Sequence, residues 1–390
     1  MEKYVSVLEN TNLLTLLTLP QKHIGVHPSG FIVELDQKEV VEPFAFTVCP
    51  LLFYNKGTPI PGTNPHDVLI FYSNQRGDLE TLLYTLWEQY KEYHLEETSC
   101  SKKRYVYEKT LPPRKIVIPC LGRKENLVPT LKRLQMINLP REGYRPVTCI
   151  VEHSPFPDLD KIAMDFQCEY LWIFLDPRNC ELPVGQFNKA LCYDKSFLFT
   201  SPAEWYLFHD NDVLVPRDFW RRIDENVERA NTKFLQPYTH RSLLNTVKEV
   251  AETLRENVSL ADEKLTEDMI YPIIPGAPGG SLYLHRQRYL EVGGHDPNFF
   301  WGYGPEDKFF FEKLKLLEPI SFADEPPIEM IHLWHPSAEN NNPFRFQMDW
   351  FTHVFFKGKT LDEKISYMKN KRNILENILK ANQENGYNRR

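Results

Sequence analysis

The chain has 390 residues, of which 42% are hydrophobic and 25% are charged. This length and composition predict two domains, a large one with a core of its own and a smaller second one. A formal net charge of -7, without a strong basic cluster before the C-terminus, disfavours a nucleic-acid partner.

The sequence offers no candidate for a membrane span, because no run reaches the roughly 18 uninterrupted apolar residues that a transmembrane helix needs. The apolar stretch at the N-terminus, "MEKYVSVLENTNLLTLLTLP", is interrupted by acids and asparagines. The seven cysteines are scattered and lack the C-x-x-C spacing of a zinc site. We therefore expect a soluble, cytoplasmic chain without a transmembrane segment, whose cysteines are free thiols.

Residues 1–105 mix short apolar runs such as "FAFTVCPLLFY" with turn-rich links such as "NKGTPIPGTNP". The leucine spacing in "DLETLLYTLWEQYKEY", residues 78–93, predicts a helix. We interpret this part as a smaller α+β accessory region whose role the sequence does not indicate. The charged segment "HLEETSCSKKRYVYEK" marks its boundary with the next domain.

From residue 106 to residue 346, predicted strands and helices alternate. The strands are "KIVIP", "PVTCIVEH", "EYLWIFL" and "EWYLFHDND", and the helices are "ENLVPTLKRLQM", "QFNKALCYDKSFLF", "PRDFWRRIDENVERA" and "SLLNTVKEVAETLRENVSL". A glycine bend in "PGAPGGSLYLHRQRYLEVGG" then leads into a strand and a short helix. This order predicts an α/β fold with a mostly parallel central sheet, which binds ligands at the C-terminal ends of its strands.

Asp210 and Asp212 follow a mostly apolar strand in "FHDNDVLVP". Two carboxylates placed two positions apart on a turn can face one hard cation bound to a diphosphate. A turn in which Asp and Asn side chains bond their own backbone explains the same residues without any ligand. Both interpretations remain open on this segment alone.

His332 and His335 lie three residues apart in "IEMIHLWHPS". Imidazole beside carboxylate suits manganese or another transition metal better than calcium. An extended segment would point the two side chains to opposite faces, so joint ligation requires a turn before Pro336. We favour His335 as a ligand, while His332 is either a second ligand or a packed strand residue.

Glu306 and Asp307 follow Pro305, which predicts that they occupy the first turn of a helix. Helix capping explains acids at this position. The same helix field tends to keep them ionised, and the aromatic segment "FFWGYG" precedes them. A carboxylate beside a stacking surface can hold a sugar and remove a proton from its hydroxyl.

Five segments, taken in order, resemble the motifs of the beta-1,4-galactosyltransferase family and related chondroitin-polymerase-type enzymes. They are "VIPCLGR", "FNKALCYDKSF", "FHDNDVLVP", "PGGSLYLHRQRYLEVGGHDPNFFWGYGPEDKFFFEKL" and "HLWHPSAENNNPFRF". Each motif is weak by itself, whereas five in the family's order are specific. The resemblance implies a GT-A type nucleotide-sugar transferase fold that uses Mn2+ and a UDP-sugar and inverts the anomeric carbon.

The resemblance also implies roles for individual residues. Asp307 corresponds to the catalytic base, and Asp212 and His335 correspond to metal ligands, with His332 beside them. Acceptor-side roles fall on Trp301, Tyr303 and Glu306. Donor-side roles fall on Pro119, Arg123, Phe187, Asn188, Asp210, Ala277, Gly279 and Gly280.

Several positions depart from the family pattern. Ala277 stands where galactosyltransferases have a bulky aromatic residue, so a donor with an N-acetyl group fits as well as galactose. Pro305 replaces a glycine before the acids, and Lys308 replaces an acid after them, which leaves the acceptor open between a glycan and a lipid-linked glycan. A glycan-binding protein without turnover and a metal-dependent hydrolase are the alternative functions, besides a polymerase module.

Residues 347–390 are predicted to form a charged helical extension. Their basic residues favour a solvated helix face over peripheral contact with an anionic membrane surface. These residues are Lys364, Lys369, Lys371, Arg372 and Lys380.

Overall fold

The structure is a computed structural model. It describes the backbone of five short N-terminal strands and, after them, most of the chain. The continuous ranges are 113–175, 187–263, 265–271, 279–300, 304–325, 327–336 and 345–384, together with residue 302. The predicted helix at 78–93 lies outside the described residues.

Four of the N-terminal strands form a sheet of their own. They are β1 (Lys22–His27), β2 (Gly30–Leu35), β3 (Leu51–Asn55) and β4 (Leu69–Ser73). Their order is β3-β2-β1-β4. Strand β1 runs antiparallel to β2 and β4, whereas β2 and β3 are parallel.

The main sheet has eight strands. They are β5 (Ser101–Lys103), β6 (Arg114–Cys120), β7 (Val147–Ser154), β8 (Glu169–Phe174), β9 (Trp205–His209), β11 (Phe234–Gln236), β14 (Ser281–His285) and β15 (Ser321–Phe322). The order is β15-β11-β14-β9-β6-β7-β8-β5, and its centre, β9-β6-β7-β8, is parallel throughout. All seven residues of β6 are buried, as expected for a strand covered on both faces. The predicted α/β fold with a mostly parallel central sheet is confirmed.

Helices cover both faces of this sheet, and two apolar cores lie on either side of it. They are α1 (Lys124–Met136), α2 (Asp160–Asp165), α3 (Lys189–Phe199), α4 (Phe219–Ala230), α5 (Lys248–Glu256), α6 (Arg286–Glu291) and α7 (Glu306–Leu314). Helix α7 begins directly after Pro305, as predicted.

A smaller sheet corrects the sequence interpretation of residues 242–260 as one helix. It contains β10 (Val213–Leu214), β12 (Leu243–Thr246), β13 (Ile270–Tyr271) and β16 (Met330–His332). The first residues of the supposed helix form β12, which lies parallel to β16, and α5 begins only at Lys248. Residues 243–246 form a strand because they pair with β13 on one side and with β16 on the other. Local sequence spacing does not show this pairing, since β16 lies far away in the sequence.

The C-terminal residues are helical, as predicted: α8 (Arg345–Trp350), a π-helical turn (Phe351–Phe356) and α9 (Leu361–Glu384). Side chains from α9 enter the same apolar core as α3 and α7. The suggestion that Lys371 belongs to a solvent- or membrane-facing side of α9 is wrong, because this residue is only 2% exposed. Its amine bonds Asp296 and the carbonyl of His295.

Among the described residues, no helix combines the length and apolar character needed to cross a bilayer. The cysteines that the structure describes are free, as predicted, and they are buried, namely Cys120, Cys149, Cys168 and Cys192.

Candidate active site

Asp210 and Asp212 occupy a sharp turn where the main sheet meets the small one. Strand β9 ends at His209, and β10 begins at Val213 in the small sheet. The backbone N–H of Asp210 donates to the carbonyl of Gly280 over 2.8 Å. In return, the N–H of Gly280 donates to Asp210 Oδ2 over 3.1 Å. The neighbouring strand β14 therefore fixes the first aspartate at the C-terminal edge of the main sheet.

The structure brings Asp212, His332 and His335 together. Asp212 Oδ2 lies 3.2 Å from His335 Nε2, and Oδ1 lies 3.5 Å from His332 Nε2. One ligand atom from each of the three side chains lies within 4.8 Å of the others. This cluster of one carboxylate and two imidazoles is what we call the metal triad.

Both histidines face the aspartate because the chain leaves the strand after His332. The N–H of Leu333 donates to the carbonyl of Asp212 over 2.8 Å. Thr246 Oγ1 donates to the carbonyl of His332 and accepts from the N–H of Trp334. These bonds turn the segment before Pro336, which is the turn that joint ligation requires. The strand β12 that the sequence analysis missed supplies Thr246 and so helps to form the turn.

The metal triad fits a transition-metal ion. Asp212 Oδ1 and His332 Nδ1 are buried without a hydrogen-bond partner among the described residues. An oxygen and two imidazole nitrogens are the donor set that suits manganese and its neighbours. Burial opposes ionisation of Asp212, but His332 and His335 outweigh it and hold its pKa below the usual range. The hydrogen bond between His335 and Asp212 raises the pKa of His335.

Lys189, which the sequence analysis did not single out, connects the two halves of the site. Its amine lies 2.8 Å from Asp210 Oδ1 and 2.9 Å from Asp307 Oδ2, and the side chain is 13% exposed. A signal was present in the sequence: a lysine at the start of a helix is disfavoured by the helix dipole. Lys189 is the first residue of α3. Its unfavourable position could have indicated that an acidic side chain from elsewhere in the chain compensates its charge.

Glu306 and Asp307 lie in the first turn of α7, as the sequence predicted. The helix field favours the ionised forms, as expected, but it does not set the net shift, because the pKa values of both acids are raised. Burial raises the pKa of Glu306 to about 8, and the neighbouring charge of Asp307 adds to this. Burial likewise raises the pKa of Asp307, although Lys189 opposes the shift. Desolvation therefore outweighs the dipole at both acids.

The surroundings of these acids explain their tight placement. Gly279 has a φ of 129°, which favours glycine, and a Cβ atom added to it would lie 2.9 Å from Asp307 Oδ2 and displace this carboxylate. Glu306 Oε2 is buried and makes no hydrogen bond within the described part of the chain. One carboxylate is thus held by Lys189, and the other has an oxygen left for a ligand.

A buried charged network holds the segment that leads to α7. Asp296 accepts from Lys313 of α7 over 2.5 Å and from Lys371 of α9 over 2.6 Å. The side chain of Asn188 caps α3 by accepting from the N–H of Leu191 and donates to the carbonyl of Pro297. Helices α3, α7 and α9 therefore meet around this segment, which sets the distance between Lys189 and Asp307.

The remaining predicted residues fall into three groups. Pro119 and Asn188 are buried, and Phe187 is half-buried with its ring centroid 6.1 Å from that of His153. Arg123 is half-buried next to Asp212. Ala277, Trp301 and Tyr303 lie outside the described residues.

No family model matches the chain. No curated protein matches it either. Among solved structures, it is similar to Drosophila beta-1,4-galactosyltransferase 7 in complex with xylobiose, at 16% identity and a TM-score of 0.33, covering 60% of this chain and 74% of that one.

Two further structures are similar. GalNAc-T7 with UDP, GalNAc and Mn2+ has 13% identity and a TM-score of 0.43, over 69% of this chain and 56% of that one. Glucosyl-3-phosphoglycerate synthase from Mycobacterium tuberculosis, with Mn2+, UDP and glucosyl-3-phosphoglycerate, has 13% identity and a TM-score of 0.33, over 59% of this chain and 73% of that one. Similarities this low do not transfer an activity to this chain.

Proposed function

We propose that the protein is an inverting, metal-dependent glycosyltransferase that moves a hexose or N-acetylhexosamine from a UDP-sugar to a hydroxyl group of a glycan. The bridge made by Lys189 carries this proposal. Its amine joins Asp210 to Asp307, so a carboxylate with a raised pKa lies close to the metal triad. A site that activates a phosphate leaving group on one side and a hydroxyl on the other needs a base near the group that stabilises the leaving phosphate.

The donor belongs beside the metal triad. Mn2+ held by Asp212, His332 and His335 would stabilise the negative charge that develops on UDP when the sugar leaves. Arg123 adds a permanent positive charge next to Asp212. Asp210 is fixed by β14 between the triad and Lys189, where its carboxylate can orient hydroxyl groups of the donor sugar.

Asp307 is the proposed base. Its carboxylate takes the proton of the acceptor hydroxyl while the acceptor oxygen forms a bond to the anomeric carbon. The bond from that carbon to the diphosphate breaks, and its electron pair leaves with UDP. The oxygen approaches from the face opposite the diphosphate, so the configuration inverts. The contact with Lys189 orients Asp307 and opposes its protonation.

Glu306 is the proposed acceptor contact. One of its carboxyl oxygens is buried without a hydrogen-bond partner among the described residues. Its pKa of about 8, raised mainly by burial, leaves most of the carboxyl protonated at neutral pH. In that form it both donates and accepts hydrogen bonds, which suits a sugar hydroxyl.

The test is a screen of UDP-sugars with Mn2+, with and without a glycan array. We expect UDP release that glycan acceptors stimulate and EDTA abolishes, with restoration by Mn2+. Sugar released only into water would favour the metal-dependent hydrolase. Donor binding without any turnover would favour the glycan-binding protein. Full activity in metal-free buffer would exclude the metal from the reaction.

Ala277 is proposed to set donor choice, because a small residue leaves room for an N-acetyl group. Ala277→Tyr should shift the ratio of kcat/KM values from UDP-GalNAc towards UDP-galactose. An unchanged ratio would remove this residue as the determinant. A cytoplasmic location, a lipid-linked acceptor and peripheral membrane contact stay predictions, as does the accessory role of residues 1–105.

A further inference from the structure

Arg123 contacts a ligand of the metal triad directly. Its Nη1 atom lies 3.1 Å from Asp212 Oδ2. The same oxygen lies 3.2 Å from His335 Nε2, so one carboxylate oxygen serves both a guanidinium and an imidazole. Asp212 is only 5% exposed, and its charge is balanced at this point by side chains of the protein.

A cation held by the triad and the guanidinium in this position compete for the same negative charge. A divalent ion bound to Asp212 and the two imidazoles would lie within a few ångströms of Arg123, about the length of the contact that Arg123 now makes. Two positive charges repel strongly at that distance, and burial reduces screening by water and salt. Arg123 would therefore weaken metal binding for as long as it stays on Asp212.

Arg123 is able to leave this contact. Its side chain is 35% exposed, unlike that of Asp212. The residue has a φ of 52° and follows Gly122, so the chain makes a tight turn between β6 and α1. A Cβ atom built on Gly122 would meet no other atom within 4 Å, which shows that the turn borders open space.

We propose that Arg123 is an exchangeable counter-ion of the metal site. Without metal it neutralises Asp212, and on metal binding it moves to the diphosphate of the donor. This inference rests on the proposed function, since it assumes that a cation and a nucleotide diphosphate bind here. Removing the charge of Arg123 should strengthen the binding of Mn2+ and weaken the binding of UDP. Removing an arginine that only binds the donor would weaken UDP binding alone.

The experiment measures Mn2+ binding without nucleotide, and UDP binding at saturating Mn2+, by calorimetry. Arg123→Met keeps about the length of the arginine's unbranched stem and removes the charged guanidinium. We expect this variant to bind Mn2+ about fivefold more tightly and UDP about fivefold or more weakly, the lower end of typical coupling between sites. Arg123→Gln should give the same two signs, and thermal unfolding checks that both variants are folded.

The matched control is Lys124→Met, which removes a neighbouring positive charge. Lys124 is 44% exposed and pairs with Asp158 instead of Asp212. Its substitution should leave both affinities within about twofold of the wild type, because exposed charges are well screened. An equal gain in Mn2+ affinity in this variant would reduce the effect to general electrostatics and overturn the inference.

Two other results would also overturn it, and they have different meanings. If Arg123→Met weakens UDP binding without strengthening Mn2+ binding, Arg123 is a donor residue only and the proposed function stands. If the wild type does not bind Mn2+ at all, the proposed metal site and this inference fail together.

Discussion

Asp212 and Asp307 lie in one site, yet their pKa values are shifted in opposite directions. Asp212 is 5% exposed and has a lowered pKa, whereas Asp307 is 21% exposed and has a raised one. Burial by itself would raise the pKa of the less exposed residue more. The positive neighbours explain why Asp212 nevertheless has the lower pKa. Asp212 has two imidazoles and Arg123 beside it, whereas Asp307 shares Lys189 with Asp210.

The opposite pKa shifts of Asp212 and Asp307 suit two different chemical roles. A carboxylate that stays ionised at any working pH can hold a cation. A carboxylate whose pKa is raised accepts a proton more readily. The proposed metal side and the proposed acceptor side of the site thus differ in the number of positive charges around each acid.

The strongest way to break this comparison is Asp307→Asn. If Asp307 is the base, the variant keeps a hydrogen bond to Lys189 but cannot take a proton, so kcat should fall by roughly 10²–10⁴. Donor affinity and the melting temperature should change little. Steady-state kinetics and thermal unfolding measure both.

Glu312→Gln is the control, because this acid lies in the same helix and pairs with the exposed Lys315. It should retain nearly the wild-type kcat. An Asp307→Asn enzyme with more than about a tenth of the wild-type kcat would remove Asp307 from the mechanism, since a lost general base costs more than this.

Asp212→Asn tests the metal side. Loss of the anionic ligand should lower kcat/KM by about 10²–10³-fold, equivalent to the several kcal/mol that metal stabilisation supplies. Calorimetry should show weaker Mn2+ binding in the same variant. Tight Mn2+ binding with full activity would place the metal elsewhere.

Lys189→Met tests the positive partner on the acceptor side. The lysine opposes the raised pKa of Asp307, so its removal should raise that pKa further. The base must be deprotonated, and the acid limb of kcat/KM should therefore move to higher pH, by about one unit or more. Lys308→Met, at an exposed lysine next to Asp307, should move the limb less. Equal movement in the two variants would contradict a specific role for the bridge.

A further prediction concerns stability. The folded pKa of Glu306 is about 8, against an ordinary value of 4.5. Between these values the folded protein binds more protons than the unfolded chain, so its stability falls as pH rises, by at most about 1.4 kcal/mol per pH unit for one proton. Glu306→Gln lacks this loss.

The melting temperature of Glu306→Gln relative to the wild type should therefore be higher at about pH 8 than at about pH 5. A constant difference between the two proteins across this range would show that Glu306 titrates normally.

The main elements of the sheet and the start of α7 at Glu306 were predictable from the sequence. Buried strands such as β6 and β9 carry local apolar runs, and Pro305 marks the helix start. Asp212 and His335 could also be named in advance, because their types and positions matched the motifs, whereas His332 was left open between a second ligand and a packed strand residue. These signals are local, and the sequence contains them directly.

Contacts between distant segments decided the rest. Strand β12 depends on pairing with β13 and β16, which local spacing does not encode. Lys189 meets Asp307 across 118 positions of sequence, and Arg123 meets Asp212 across 89. The sequence by itself indicated the acids of the site and Arg123, but not Lys189. Only the tertiary structure decided which of them are buried together, and desolvation and charge pairing at those distances set the direction of every pKa shift in the site.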